Sequence, residues 1–200
     1  MLVVHVPSKT NDRIKAILEH MEKLADAGNT KLRPQTVNYN ALIDAYAKSD
    51  DSMGAAKAEV ILSRMLKEYF NGRKNMKPNV RSFNGVLFAW TARVKANPKG
   101  NVDPAKRCEK LLTYFESLST KYPDEIDFQP DIFSYNSVIN ALAKAAKYDS
   151  SAARRAEALL LRIYESSNKN KRIRPNTLTF SAVMNALAQS RKEVRWLNVY

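Results

Sequence analysis

Pro130-Asp-Ile-Phe-Ser-Tyr135-Asn136 decides how this chain is read, because close variants of it occur three more times. The other copies are Pro34-Gln-Thr-Val-Asn-Tyr39-Asn40, Pro78-Asn-Val-Arg-Ser-Phe83-Asn84 and Pro175-Asn-Thr-Leu-Thr-Phe180-Ser181. The phrase returns after 44, 52 and 45 residues. A period of roughly 20–50 residues is the mark of stacked repeats, each unable to bury its apolar face alone. The chain therefore reads as a row of similar units, which suits an extended partner better than a single reaction centre.

Each phrase opens a helical pattern, here termed helix A, with apolar residues at i, i+3, i+4 and i+7. The stripes are Tyr39, Leu42, Ile43, Tyr46; Phe83, Val86, Leu87, Trp90; Tyr135, Val138, Ile139, Leu142; and Phe180, Val183, Met184, Leu187. Ala45, Ala89, Ala141 and Ala186 share one place in the four copies, where a small side chain lets a neighbouring helix approach. A second class, helix B, fills the intervals. It is expected over 53–70, over 104–119 behind an Asp103 N-cap and Pro104, and over 151–166 behind Asp149 or Ser150. One more B helix is expected over 12–27, carrying Ile14, Ile17, Leu18, Met21 and Leu24 and stopped by Gly28. Arg191–Tyr200 reads as the start of a further B helix. No stretch alternates polar and apolar residues long enough for a sheet.

The fold expected is an all-α, right-handed α-solenoid of stacked antiparallel helix-turn-helix repeats. Its divisions are an irregular segment 1–10, a partial repeat 11–35, repeats 36–79, 80–131 and 132–176, and a truncated repeat 177–200. Neither end reads as a polar cap, so a piece of a longer array is expected.

Charge bounds the partner. With 33 Lys and Arg against 20 Asp and Glu, the net charge is +13, which favours a polyanion through release of condensed counterions. No run approaches the ~18 apolar residues of a membrane span. Cys108 is the single cysteine, so no disulfide forms within the chain, and it reads as a small core residue. His5 and His20 lack partners at metal-ligand spacing. Gly-rich phosphate loops and nucleophile elbows are missing, and Asp50-Asp51 reads as a turn between helices. Neither an enzyme, a cofactor nor a small-molecule substrate is expected. Met1-Leu-Val-Val-His-Val-Pro7 is too short for a secretory signal, and no Arg-rich transit peptide is visible.

Helix pairs opened by such a phrase, as in Val37-Asn-Tyr-Asn-Ala-Leu-Ile-Asp-Ala-Tyr46 and Phe133-Ser-Tyr-Asn-Ser-Val-Ile-Asn-Ala-Leu142, resemble the pentatricopeptide repeat family over about residues 11–200. The periods exceed the usual repeat length of roughly 35 residues. Inserts are therefore expected at Lys95–Val102, Asn71–Lys77, Ser119–Phe128 and Ser167–Arg172.

The resemblance implies single-stranded RNA as partner, met at one base per repeat, and residence in a mitochondrion or plastid. It implies base reading by Asn40 with Asn79, Asn84 with Asp131, and Asn136 with Asn176, with Ser181 in an incomplete unit and Gln35 closing the partial first one. Val37, Arg81, Phe133 and Leu178 would sandwich the bases. Lys48, Arg93 and Lys144 would contact phosphate, with Arg191 less well aligned. An acceptor-only Asp131 suits the imino N–H of uracil, whereas Asn79 and Asn176 can donate to cytosine. The readout implied is pyrimidine, uracil, pyrimidine.

The same residues have structural readings. The aromatics belong to the core stripe. Asn40, Asn84 and Asn136 could make local backbone bonds, Asn79, Asp131 and Asn176 could be N-caps, and the lysines could be solvated helix ends. Two other functions compete: a protein-binding scaffold using the inserts, and the RNA-gripping part of a protein-only RNase P-like enzyme.

Overall fold

The computed structural model describes residues 10–94, 102–168 and 170–190. Among them the regular elements are helical. The α-helices are α1 (Thr10–Asp26), α2 (Thr36–Lys48), α3 (Gly54–Phe70), α4 (Val80–Arg93), α5 (Pro104–Lys121), α6 (Ile132–Ala145), α7 (Ala152–Ser166) and α8 (Thr177–Gln189). Helices α2, α4, α6 and α8 are the expected A helices, and α1, α3, α5 and α7 the B helices. No strand occurs among the described residues.

The chain divides into two compact units, residues 1–89 and 90–200. In the first, α1 packs on α2 and α2 on α3. In the second, α5 packs on α6, α6 on α7 and α8, and α7 on α8. Short turns over 49–53 and 146–151 make the α2–α3 and α6–α7 hairpins antiparallel, so that helix pairs stack within each unit.

The phrase residues build that core. Tyr39, Leu42, Ile43 and Tyr46 are buried on α2, as are Phe83, Val86, Leu87 and Trp90 on α4 and Tyr135, Val138, Ile139 and Leu142 on α6. Cys108 and Phe115 on α5 are fully buried. The small-residue column behaves as expected on three helices, with Ala89, Ala141 and Ala186 sealed off from solvent. Close approach is tightest at Gly85. A Cβ there would stand 2.8 Å from Cγ2 of Ile43, itself fully buried. Gly85→Ala should therefore destabilise the first unit by about 1 kcal/mol, overpacking of ~1–3 kcal/mol being partly offset by alanine's better helix propensity. Urea denaturation of the two proteins would show it, and a stabilised variant would contradict the packing.

Asp103 caps α5 as expected, its Oδ1 accepting from Ala105 N–H at 2.9 Å, with Pro104 in the first turn. Gly28 ends the first B segment at φ 112°, and Gly72 does the same after α3 at φ 97°; both angles lie where only glycine is unstrained. The N-cap of α7 is Ser151, one residue past the expected Ser150 and two past Asp149. Asp149 instead accepts from Ser151 N–H at 2.9 Å and pairs with Arg155. Asp51 has the same job before α3, accepting from Met53 N–H at 2.9 Å and from Lys57 Nζ at 2.6 Å.

Two expectations need correction. The stretches expected as inserts after the B helices each hold or run into a short 3-10 turn. They are a 3-10 turn at Lys74–Met76, the last turn of α5 with a 3-10 turn at Ile126–Phe128, and a 3-10 turn at Lys171–Ile173. Met76, Phe128 and Ile173 from these turns are buried, and Asn75 Nδ2 donates to Pro34 O at 2.7 Å. Apolar side chains in the turns pull them inward, so the long period is housed in ordered structure. The fourth expected insert, 95–102, lies outside the described residues except for Val102. The second correction concerns stripe members at the outermost described helices. Phe180 and Met184 on α8 are 43% and 59% exposed, and Ile17 on α1 is 62% exposed. Their counterparts elsewhere are covered by a flanking helix; the B segment expected after α8 falls at 191–200, outside the described residues.

Candidate nucleic-acid interface

The closing residues Asn79, Asp131 and Asn176 are helix N-caps. Asp131 Oδ1 accepts from Ser134 N–H at 3.0 Å, and Ser134 Oγ accepts from Asp131 N–H at 3.2 Å. Asn176 and Thr179 make the same reciprocal pair, both at 3.1 Å, as do Asn79 and Ser82, both at 3.1 Å. Such a capping box satisfies two orphan donors of the helix start. The cap uses Oδ1 and leaves the other terminal atom outside the cap. In Asn79 and Asn176 that atom is Nδ2, which donates to no group among the described residues; in Asp131 it is an oxygen.

The cap also holds the partner asparagine of the preceding A helix. Asn40 Nδ2 donates to Asn79 Oδ1 at 3.2 Å, and Ser82 Oγ donates to Asn40 Oδ1 at 2.6 Å. Asn136 Nδ2 donates to Asn176 Oδ1 at 3.5 Å, and Thr179 Oγ1 donates to Asn136 Oδ1 at 2.7 Å. The pairs expected from sequence, Asn40 with Asn79 and Asn136 with Asn176, are thus side by side. Yet Asn40 and Asn136 are only 4% and 8% exposed, each with both side-chain atoms engaged. They are not open side chains; each retains one amide proton. The hydroxyl that locks them comes from the residue before the next aromatic, Ser82 or Thr179. Sequence reading passed over that place, although a hydroxyl stands there in three of the four phrases, Asn38 being the exception.

Val37, Phe133 and Leu178 are 68%, 67% and 68% exposed, unusual for large apolar side chains at the second residue of a helix. Arg81 holds the equivalent place, and its Nη2 donates to Asp44 Oδ2 at 2.7 Å. Asn84 lies partly buried on α4 and Ser181 partly buried on α8.

The basic positions separate. Lys48 is exposed at the end of α2. Lys144 holds the same register on α6, but its Nζ donates to Thr91 O at 3.0 Å and so caps the last turn of α4. Ala92 occupies that register on α4, which leaves Arg93 one residue out of line. Arg191 lies outside the described residues.

On the B-helix side a second polar device repeats. Tyr39 Oη donates to Glu22 Oε1 at 2.8 Å, and Arg64 Nη2 donates to the same carboxylate at 2.9 and 3.0 Å. In the second unit Tyr135 Oη donates to Glu116 at 2.9 Å and Arg162 Nη2 to Glu116 at 2.7 Å. Burial first, then the neighbouring carboxylate, keeps both phenols protonated well above the ordinary tyrosine range. Each triad bolts three consecutive helices together: B, A, B.

Among the described residues no cluster of His, Cys, Asp or Glu is arranged to hold a metal ion, and no helix is long and apolar enough to cross a membrane. A pentatricopeptide repeat domain profile matches residues 123–190, and a PPR repeat profile matches residues 37–70. The first spans α6 to α8 and the second α2 with α3; together they take in just over half the chain. No curated protein and no solved structure matches it. With its recurrent phrase, its stacked helix pairs and these two matches, the chain belongs to the pentatricopeptide repeat family.

Proposed function

We propose that the chain binds single-stranded RNA with sequence selectivity, the paired residues Asn40 and Asn79, and Asn136 and Asn176, each meeting one base. The observation that carries this reading is the lock itself. A cap fixes the orientation of Asn79 and Asn176, leaves the amide of each as a donor, and precedes by two residues an exposed side chain, Arg81 or Leu178, that can cover a base face. The net charge of +13 supplies attraction for the backbone. Family membership supports a role in organellar RNA processing, stability, editing or translation, in a mitochondrion or plastid.

Fluorescence anisotropy with labelled oligouridine, oligocytidine, oligoadenosine and a duplex RNA tests the proposal. Pyrimidine single strands should bind tighter than the duplex, and affinity should fall steeply with salt. Phe133→Ala and Leu178→Ala should each weaken single-strand binding by about fivefold or more, in line with the ~1–3 kcal/mol of one stacked base. Both residues are too exposed for their loss to unfold the helix. Equal affinity for single strand and duplex would sink the single-strand reading, and equal affinity for the three oligomers would sink its sequence selectivity. No affinity at all would favour a protein-binding scaffold.

A further inference from the structure

Arg81 is the one basic residue among the four exposed sandwich places, and its guanidinium is already engaged. It reaches from α4 to α2, donating to Asp44 Oδ2 at 2.7 Å, with the two side chains 71% and 30% exposed. Asp44 stands four residues after Asn40, hence one turn further along the same face of α2. The short distance between the helices at this point follows from Gly85, whose missing Cβ would lie 3.5 Å from Asp44 Oδ1. The residues in register with Asp44 on the other A helices are Phe88, Asn140 and Asn185. A carboxylate stands at this place only in the repeat before the arginine.

As an exposed ion pair this contact contributes little to stability, typically under ~1 kcal/mol. Its position gives it another use. A free arginine beside an RNA groove pairs with phosphate, bidentately and without regard to base. An arginine whose charge is met by a carboxylate keeps a flat, weakly hydrated face that can stack on a base. We infer that Asp44 is a positioning residue for RNA recognition, holding Arg81 as a stacking platform beside the base read by Asn40 and Asn79 and withholding it from phosphate. This rests on the RNA-binding reading above.

The test uses the full chain with two probes, labelled oligouridine and an abasic ribose-phosphate oligomer of equal length, each titrated across salt concentrations. Arg81→Lys keeps charge and ion pair but loses the plane. It should bind oligouridine several-fold more weakly, on the order of fivefold, with an unchanged salt slope. Asp44→Asn should weaken oligouridine binding to a similar degree while steepening the slope by about 0.7, the increment for one further phosphate contact on a single strand. It should also bind the abasic oligomer more tightly than the native chain does. A simple surface ion pair would leave both slope and abasic affinity unmoved. If the native chain binds oligouridine and Asp44→Asn matches it in affinity and slope, the assignment of Asp44 falls alone. If the native chain binds neither probe, the RNA reading falls and this inference with it.

Discussion

Exchanging the caps, Asp131→Asn and Asn176→Asp, should redirect base preference in opposite senses without unfolding either repeat. Asp131 and Asn176 cap their helices with the same atom at nearly the same distance, 3.0 Å to Ser134 N–H and 3.1 Å to Thr179 N–H. Asn and Asp are of similar worth as N-caps, so stability should change by no more than about 0.5 kcal/mol. The second terminal atom is what differs. An oxygen accepts from the imino N–H of uracil, and an amide donates to the bare N3 of cytosine. Asp131→Asn should relax or reverse a uracil preference by about tenfold, which corresponds to ~1.4 kcal/mol. Asn176→Asp should create one. Competition binding with oligomers that differ at a single pyrimidine measures both. Parallel losses on every oligomer would mean that these caps do not read bases.

The largest stability effect should come from Glu116→Ala. Glu116 accepts from Tyr135 Oη and from Arg162, and Tyr135 is only 7% exposed. Removing the carboxylate strands a buried hydroxyl, at ~1–3 kcal/mol, whereas the half-exposed Arg162 regains water. A loss of about 2 kcal/mol is expected. Tyr135→Phe removes the donor together with its need and should cost well under that; Phe83 and Phe180 show that the position accepts a plain ring. In the Tyr135→Phe background, Glu116→Ala should therefore be milder by about 1 kcal/mol, a coupling that urea denaturation of the four proteins resolves. Additive losses would show that the hydroxyl and the carboxylate do not work as a pair.

The fold was legible because its signals are local and repeated. The aromatic stripe, the Asp103 cap and the Gly28 stop each depend on residues within a few positions, and the structure reproduces them. Val37, Phe133 and Leu178, which the family resemblance singles out, are exposed in the structure. What sequence could not supply was contact between distant segments. Glu22 meets Tyr39 and Arg64 across three helices, and Arg81 meets Asp44 across two; such pairs emerge only when the register between helices is known. The depth of burial of Asn40 and Asn136 was hidden for the same reason. Nothing in the phrase shows that a hydroxyl from the following repeat closes over each of them. The 3-10 turns lengthen the period without a visible sequence signal, because only one apolar residue in each, Met76, Phe128 or Ile173, anchors the turn in the core.

The capping box sets a limit on how these positions can change over generations. Any residue admitted at 79, 131 or 176 must first start a helix, which restricts the vocabulary there to Asn, Asp, Ser and Thr, with Gly a poorer choice. A lysine, however well suited to some base, would leave the helix opening uncapped, at a cost of ~0.5–2 kcal/mol. Substitutions that survive are therefore drawn from a short alphabet of small oxygen-bearing side chains. In these repeats the cap and the terminal atom beside it share one side chain, so any change at these positions is filtered first by its worth as a helix start.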